Sequence, residues 1–470
     1  MTGENEHTQP ASPKHLDPLE RTGRRPRFHA LWHLKTLGVA EEIEAFESAA
    51  WEKVYDSQQR HAPADPVRVA IIDTLPAFTH PNLTHAIDIA CGMDFTTDSA
   101  GKDLPALPDS GSAFGAHGTS VAGLIAARPG MNVILRVPGY IDPDAPLPPA
   151  STTRPIALPF AGINPFATIV PIVVSAAPDP EMILAALHYA GSAQAAVDIV
   201  VIADSWDRAG TAYDAGSNTK AGKIPTGYGS QVPKSAADSK SPGQDNRWTP
   251  VEEALRKLCT ETFVFCAAGN EPRSRLVYPA SLSTPKVGPW AVGACDKTGH
   301  DLTYTPKSGA VRRNGHRLIT TLSSEHPRLD QIVQKLDPWA KNDSEMDLPD
   351  WLFDQNFQPT DIVSTDVPGP AGYNPSPYDH VPSQPGDEHL EVASLYCRFS
   401  GTSAATALAA GLVSLAIALQ RAGEQGDATP NHASQPYKGP PPEKPELFTL
   451  EQARELARLR PPAHSEPKEN

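Results

Sequence analysis

Val67-Arg68-Val69-Ala70-Ile71-Ile72-Asp73 decides the fold: a short, β-branched, almost wholly apolar run after Pro66 that ends in a carboxylate. Similar runs recur at residues 168–174, 198–203, 262–267 and 290–294, and helical patterns lie between several of them, notably at 181–196 and 251–260. Strands alternating with helices of this length predict βαβ units and a mainly parallel sheet. The expected architecture is a three-layer α/β/α sandwich. In such sheets sites gather at the carboxyl ends of strands, where Asp73 stands.

Outward from this core the 470 residues can hold one large α/β domain with extensions, or two ordinary domains. Proline, at 50 residues, is about twice its ordinary usage, which predicts long irregular loops on a globular core. Residues 1–27 are polar and charged and read as disordered. Residues 28–65 read as a helical N-terminal extension, with Ile43, Phe46, Ala50 and Val54 at three- and four-residue steps. The main domain spans 66–422. Within it, the stretches at about 207–250, 311–358 and 366–395 are rich in Pro, Gly, Ser, Asp or Lys and are expected as insertions. Residues 423–470 form a Pro-rich tail with a short helix expected over 447–459.

A formal net charge of −15 argues against a nucleic-acid backbone as the main partner, because such proteins present a basic face. The five cysteines have no metal-like spacing, and Cys266 and Cys295 sit in apolar runs, so buried free thiols are expected. The N-terminus lacks an apolar signal core, Arg24-Arg25 is followed by charged residues, and no uninterrupted apolar stretch approaches the roughly 18 residues of a membrane span. The expectation is a cytoplasmic protein with no membrane partner.

Serine-based hydrolysis needs a hydroxyl, a base to activate it, a carboxylate to orient that base, and donors for the developing oxyanion. Taken alone, Asp73 reads first as a turn residue before Pro76, and only its company favours catalysis. In Gly115-Ala116-His117-Gly118-Thr119-Ser120, a histidine with small neighbours opens an Ala-rich helix, leaving the imidazole reachable from two sides. In Phe399-Ser400-Gly401-Thr402-Ser403-Ala404-Ala405-Thr406, Ser403 begins a helix with Leu408, Leu412, Leu415 and Leu419 on one stripe. A helix N-terminus favours an anion, though serine there is also the commonest plain cap. Phe263–Asn270 ends a buried-type strand in Ala-Ala-Gly-Asn, and the Asn270 amide can donate toward an oxyanion.

Together these four motifs, in the order Asp, His, Asn, Ser, resemble those of the subtilisin family, the subtilases. The order is the one long described for subtilisin, and the match extends over about residues 66–422. The resemblance implies a subtilisin-like fold and a serine endopeptidase acting on protein or peptide substrates. Ser403 would be nucleophile, His117 general base and then acid, Asp73 the residue orienting His117, and Asn270 the oxyanion-hole residue. Substrate would lie extended against Ser205-Trp206. No cofactor is expected, and no acidic loop has the spacing of a calcium site.

Leu75, Ala203, Ala404, Ala407 and Asp207 depart from the family pattern without removing a reacting group, so they bear on pocket shape. The helical N-terminal extension differs from the β-rich prodomain of many secreted relatives. The alternative to an active peptidase is a latent or inactive subtilase-fold binding protein, and a regulatory partner fits an intracellular protease. An α/β-hydrolase would place its serine before its Asp and His, and a sedolisin-type peptidase would replace the His-Gly-Thr motif with acidic residues, so both are disfavoured.

Overall fold

A parallel strand covered by helices on both sides is apolar at successive positions rather than alternate ones. In the computed structural model the run ending at Asp73 behaves in this way: Val69 and Ile71 enter one core, Ala70 and Ile72 another. The structure describes residues 30–43, 47–60, 66–104, 114–129, 131–136, 153–158, 160–175, 178–206, 246–272, 275–324, 361–376, 388–389, 392–424 and 447–458. The disorder expected for 1–27, Phe46, and most of the three expected insertions lie outside these residues.

The elements are α1 (Trp32–Thr36), α2 (Ala49–Arg60), β1 (Arg68–Asp73), β2 (Met93–Asp94), β3 (Lys102–Asp103), α3 (Ala116–Ala126), β4 (Met131–Arg136), β5 (Thr153–Leu158) and β6 (Thr168–Val173). Then come α4 (Pro180–Ala190), β7 (Ile199–Ile202), α5 (Trp248–Glu261), β8 (Phe263–Ala267), β9 (Trp290–Cys295), α6 (Ser308–Arg313) and β10 (Leu318–Leu322). The chain continues through β11 (Ile362–Thr365), β12 (Glu388–His389), β13 (Tyr396–Phe399), α7 (Gly401–Glu424) and α8 (Leu450–Ala457).

An eight-stranded sheet runs in the order β10-β9-β8-β7-β1-β6-β2-β3, parallel throughout except for the β2–β3 pair. Strand order reverses around β1, which has β6 on one side and β7 on the other. Asp73 therefore lies at the switch point, where open α/β sheets leave a crevice. One face is covered by α3 and α7, with α2 and α8 outside them, and the other by α4 and α5. This is a three-layer, subtilisin-like α/β/α fold.

The leucine stripe expected on α7 is only part of its burial, because small alanines let the sheet, α3, α2 and α8 close around every side. The helix is long and apolar enough to cross a membrane, and it is wholly buried as the central helix of the domain. All five cysteines are free, with Cys266, Cys295 and Cys397 buried and Cys91 and Cys259 half-buried.

Four expectations change. The N-terminal helix is broken: α1 ends at Gly38, whose φ of +72° suits glycine, and α2 starts after Ser48, whose hydroxyl accepts the Trp51 N–H. Trp32 and Trp51 donate their indole N–H groups to the carbonyls of Asp361 and Ile163, and Leu450 N–H bonds to the Leu37 carbonyl, so the extension is tied into the domain. The stretch from 311 begins as core, since β10 is the sheet's outer strand. The stretch from 366 begins packed, with Asp366, Val367, Asn374 and Ser376 buried. Residues 248–250 belong to α5, because Pro250 is tolerated in a helix's first turn.

Candidate active site

Asp73 leaves β1 with its side chain almost enclosed, and Thr74 fixes its orientation. Oδ1 accepts the Thr74 N–H at 2.7 Å and the Thr74 hydroxyl at 3.1 Å, which turns Oδ2 toward His117 Nδ1 at 2.7 Å. Thr74 also receives the start of α3, its Oγ1 accepting the Gly118 N–H at 3.1 Å. That approach leaves no room for a side chain: a Cβ on Gly118 would lie 2.1 Å from the Thr74 carbonyl oxygen, and one on Gly115 would lie 2.1 Å from Thr74 Oγ1. The small residues around His117 are thus what lets its helix sit on the end of β1.

Ser403 stands in the first turn of α7 and is 8% exposed. Its hydroxyl donates to the Ala203 carbonyl at 2.7 Å. Asn270, after β8, is joined to the same turn: its Oδ1 accepts the Thr402 N–H at 2.8 Å and the Thr402 hydroxyl at 3.1 Å. Because a backbone N–H can only donate, the Asn270 oxygen must face Thr402, which leaves Nδ2 free to donate elsewhere. The Thr402 hydroxyl accepts the Gly269 N–H at 3.1 Å, closing the link between β8 and α7.

Phe399 closes one side of the imidazole edge-on, with ring centroids 5.5 Å apart, and Tyr373 stacks on Phe399 at 6.2 Å. Tyr373 is held by Asp366, whose buried carboxylate accepts the N–H groups of Val367, Tyr373 and Asn374. Burial pushes the Asp366 carboxyl up to about 7 against those donors. At His117, burial disfavours the cation, but the Asp73 carboxylate and then Asp204 outweigh it and raise the imidazole to about 9.

The sequence model of the subtilase family matches residues 64–435. The chain belongs to the subtilase family. It is a serine-type endopeptidase. This subtilase is similar to the epidermin leader peptide processing serine protease (EpiP) from Staphylococcus aureus, at 13% identity over 93% of this chain and 83% of that one, with a TM-score of 0.48. It is also similar to a lanthipeptide protease, at 15% identity over 91% and 96% of the two chains, with a TM-score of 0.46. No curated protein matches it.

In this subtilase the structure brings Asp73 and His117 into contact and places Asn270 against the turn that bears Ser403. Trp206 goes elsewhere: it is 4% exposed, its ring packs against Tyr278 at 6.2 Å, and its N–H donates to the Tyr278 carbonyl. Trp206 is a core residue, and the edge beside Ser403 starts at Ala203, two residues before the expected Ser205. Ser205 is half-buried, and its N–H is taken by the Asp204 carboxylate. Thr74, Thr402, Tyr373 and Asp366 were not singled out from sequence. Thr74 and Thr402 adjoin the expected catalytic residues Asp73 and Ser403 and could have been suspected, whereas Asp366 acts through a fold-dependent contact.

A cavity of about 1050 Å³ lined by Lys35, Lys53, Leu419 and Arg454 opens between α1, α2, α7 and α8. Leu419 lies sixteen residues beyond Ser403 in one helix, roughly 24 Å along its axis. The cavity is not part of this site. Among the described residues, no three His, Cys, Asp or Glu side chains gather in a way that could hold a metal ion.

Proposed function

We propose that this subtilase cleaves peptide bonds through an acyl-enzyme on Ser403, with His117 as general base and then acid and Asp73 as its orienting carboxylate. Asn270 Nδ2 and the Ser403 N–H receive the oxyanion. The observation that carries this reading is the 2.7 Å contact of Asp73 Oδ2 with His117 Nδ1. An ionised carboxylate only accepts, so Nδ1 holds the proton and Nε2 is left as the base. As the Ser403 proton moves to Nε2, the imidazolium that forms is already favoured by Asp73 and Asp204.

The Ser403 hydroxyl must first leave the Ala203 carbonyl. An extended substrate lying along Ala203–Ser205 would offer its own N–H to that carbonyl, displacing the hydroxyl toward His117. Binding and activation of the nucleophile are then one event. A second reading draws on the Ser403 bond to the Ala203 carbonyl: a latent protease keeps Ser403 parked there until a partner releases it.

The test compares the full chain with Ser403→Ala for fluorophosphonate labelling and for cleavage of a mixed peptide library at about pH 9, where His117 is losing its proton. Labelling and cleavage by the wild type alone support the active assignment. Labelling of neither protein favours the latent form, and equal labelling and cleavage by the two proteins removes Ser403 from the mechanism.

A further inference from the structure

Asp204 follows directly on the carbonyl that holds the nucleophile. Since Ala203 O lies 2.7 Å from Ser403 Oγ, the next residue, one Cα step of about 3.8 Å onward, borders the reaction centre. Along this stretch Ala203 and Trp206 are buried, Ser205 is half-buried and Asp204 is exposed. The Asp204 side chain therefore turns out of the core while its neighbours anchor the backbone. It stays close enough to His117, Asp73 and Tyr373 for its charge to act on each.

The two nearby carboxylates differ in what they have to do. Asp73 is enclosed and committed to His117 and Thr74. Asp204 uses Oδ1 to accept the Ser205 N–H at 2.7 Å and meets no Lys or Arg among the described residues. Near the nucleophile, then, an exposed carboxylate has one oxygen with no hydrogen bond and, among the described residues, no Lys or Arg beside it, the nearby cation being His117 while it holds its second proton. A substrate strand laid on Ala203–Ser205 passes this oxygen, and covering it with peptide excludes the water that would otherwise screen it.

Building on the assignment of Ser403 as nucleophile, we propose that Asp204 is a specificity-determining residue that selects substrates with Lys or Arg adjacent to the scissile bond. The charge is complementary and partly desolvated on binding, which favours the cationic side chain over a neutral one of equal length. An acidic side chain in the same place would meet Asp204, with Asp73 behind it, and be rejected.

The experiment measures kcat/KM on internally quenched peptides that differ only at the residues flanking the cleaved bond: Lys or Arg, Gln, norleucine, or Glu. Wild type, Asp204→Asn and Asp204→Lys are compared, each counted beforehand by fluorophosphonate titration so that misfolded protein does not enter the rates. The wild type is expected to prefer Lys or Arg over Gln by about tenfold, the size of one charge pair in a partly solvated cleft, and less so as salt is raised. Asp204→Asn removes the preference, and Asp204→Lys shifts it toward Glu. A wild type that is labelled but shows no basic preference overturns the proposal, as does a preference that survives in Asp204→Asn. If Asp204→Asn changes all peptides equally and only moves the pH profile, Asp204 acts through His117 alone and the proposal also falls. A wild type that takes no label and cleaves none of the peptides overturns the assignment of Ser403 as an active nucleophile and this proposal together.

Discussion

Asp73→Asn changes one charge and keeps the shape of the side chain. In the wild type Oδ1 receives two donors from Thr74, so an asparagine must leave its oxygen there and turn its NH₂ toward His117. The NH₂ then meets Nδ1 as a donor and drives the imidazole proton to Nε2, the atom that should accept from Ser403. The energetic scale follows from His117 itself, held at about 9 against an ordinary 6.5. A gap of about 2.5 units is about 3 kcal/mol at 1.36 per unit, shared between Asp73 and Asp204 and reduced by solvent, which reaches 25% of the His117 side chain. Together the wrong tautomer and the lost charge are expected to lower kcat by ~10³–10⁴. The wild-type kcat/KM should keep rising with pH through about 9, and its acid limb should move down toward the ordinary histidine value in the variant. Stability gives an independent check. Between pH 6.5 and about 9 the folded chain holds a proton that the unfolded chain releases, so this contribution is complete below 6.5 and is lost as pH rises through about 9. Urea midpoints measured from about pH 6 to 10 should show that slope in the wild type and a flatter one in Asp73→Asn. A variant within tenfold of wild-type kcat, with its acid limb unmoved, would refute the assignment of Asp73 and the argument from the field around His117.

Gly118→Ala sets a methyl group 2.1 Å from the Thr74 carbonyl oxygen, a backbone atom, and is expected to cost about 1–3 kcal/mol in urea denaturation and most of the fluorophosphonate labelling; unchanged stability would mean that α3 does not depend on this close approach. Asp366→Asn leaves the Asn374 N–H, now 2.6 Å from Oδ2, facing an NH₂, which should cost about 1–3 kcal/mol. Because burial raises the Asp366 carboxyl from 3.8 to about 7, its share of wild-type stability falls as pH rises across that interval, and the asparagine variant should lack this slope. Trp51→Phe removes the donor to the buried Ile163 carbonyl and should lower stability by about 1 kcal/mol, while leaving kcat per labelled site unchanged. A loss of kcat with no loss of stability would instead tie the extension to the reaction.

The parts legible in the sequence are those where one local rule is sufficient. The apolar runs before Asp73 and Asn270 read as two-sided strands because β1 and β8 are covered on both faces, and residues 69–72 and 263–266 alternate between two cores that are equally apolar. The small neighbours of His117, read as leaving the imidazole reachable from two sides, prove also to be what lets α3 sit against Thr74. Where the reading departed from the structure, two elements shared one face. Ile43, Ala50 and Val54 keep helical steps across the break between α1 and α2 because all three are buried on the same domain, although Gly38 and Ser48 carried the stop and start signals. Trp206 is expected against substrate only because its run resembles the substrate-binding strand of the family. Its burial depends on Tyr278, seventy-two residues away, which no local pattern reports. Asp366 lay in a polar, Pro- and Gly-containing stretch that composition marks as a loop. Its role is to bind three backbone N–H groups of that loop, a contact that exists only once the loop has folded.

The site has one adjustable member set among fixed ones. Asp73 is pinned by Thr74, Thr74 by the start of α3, Asn270 by Thr402, and Tyr373 by the cradle of Asp366. Each of these bonds joins a side chain to backbone, so moving any of these residues would disturb a strand end or a helix start. Ser403 differs, because its hydroxyl bond to Ala203 can be exchanged by rotation about a single side-chain angle, a motion far faster than turnover. On the proposed mechanism a substrate would have little to reorganise: it would occupy the Ala203 carbonyl, free one hydroxyl, and meet donors already in place, as electrostatic preorganisation requires. The same arrangement explains why selectivity can reside in Asp204. The backbone on either side is fixed by the burial of Ala203 and by the Trp206 bond to the Tyr278 carbonyl, so the side chain between them could vary without loosening the groups proposed to carry out the reaction.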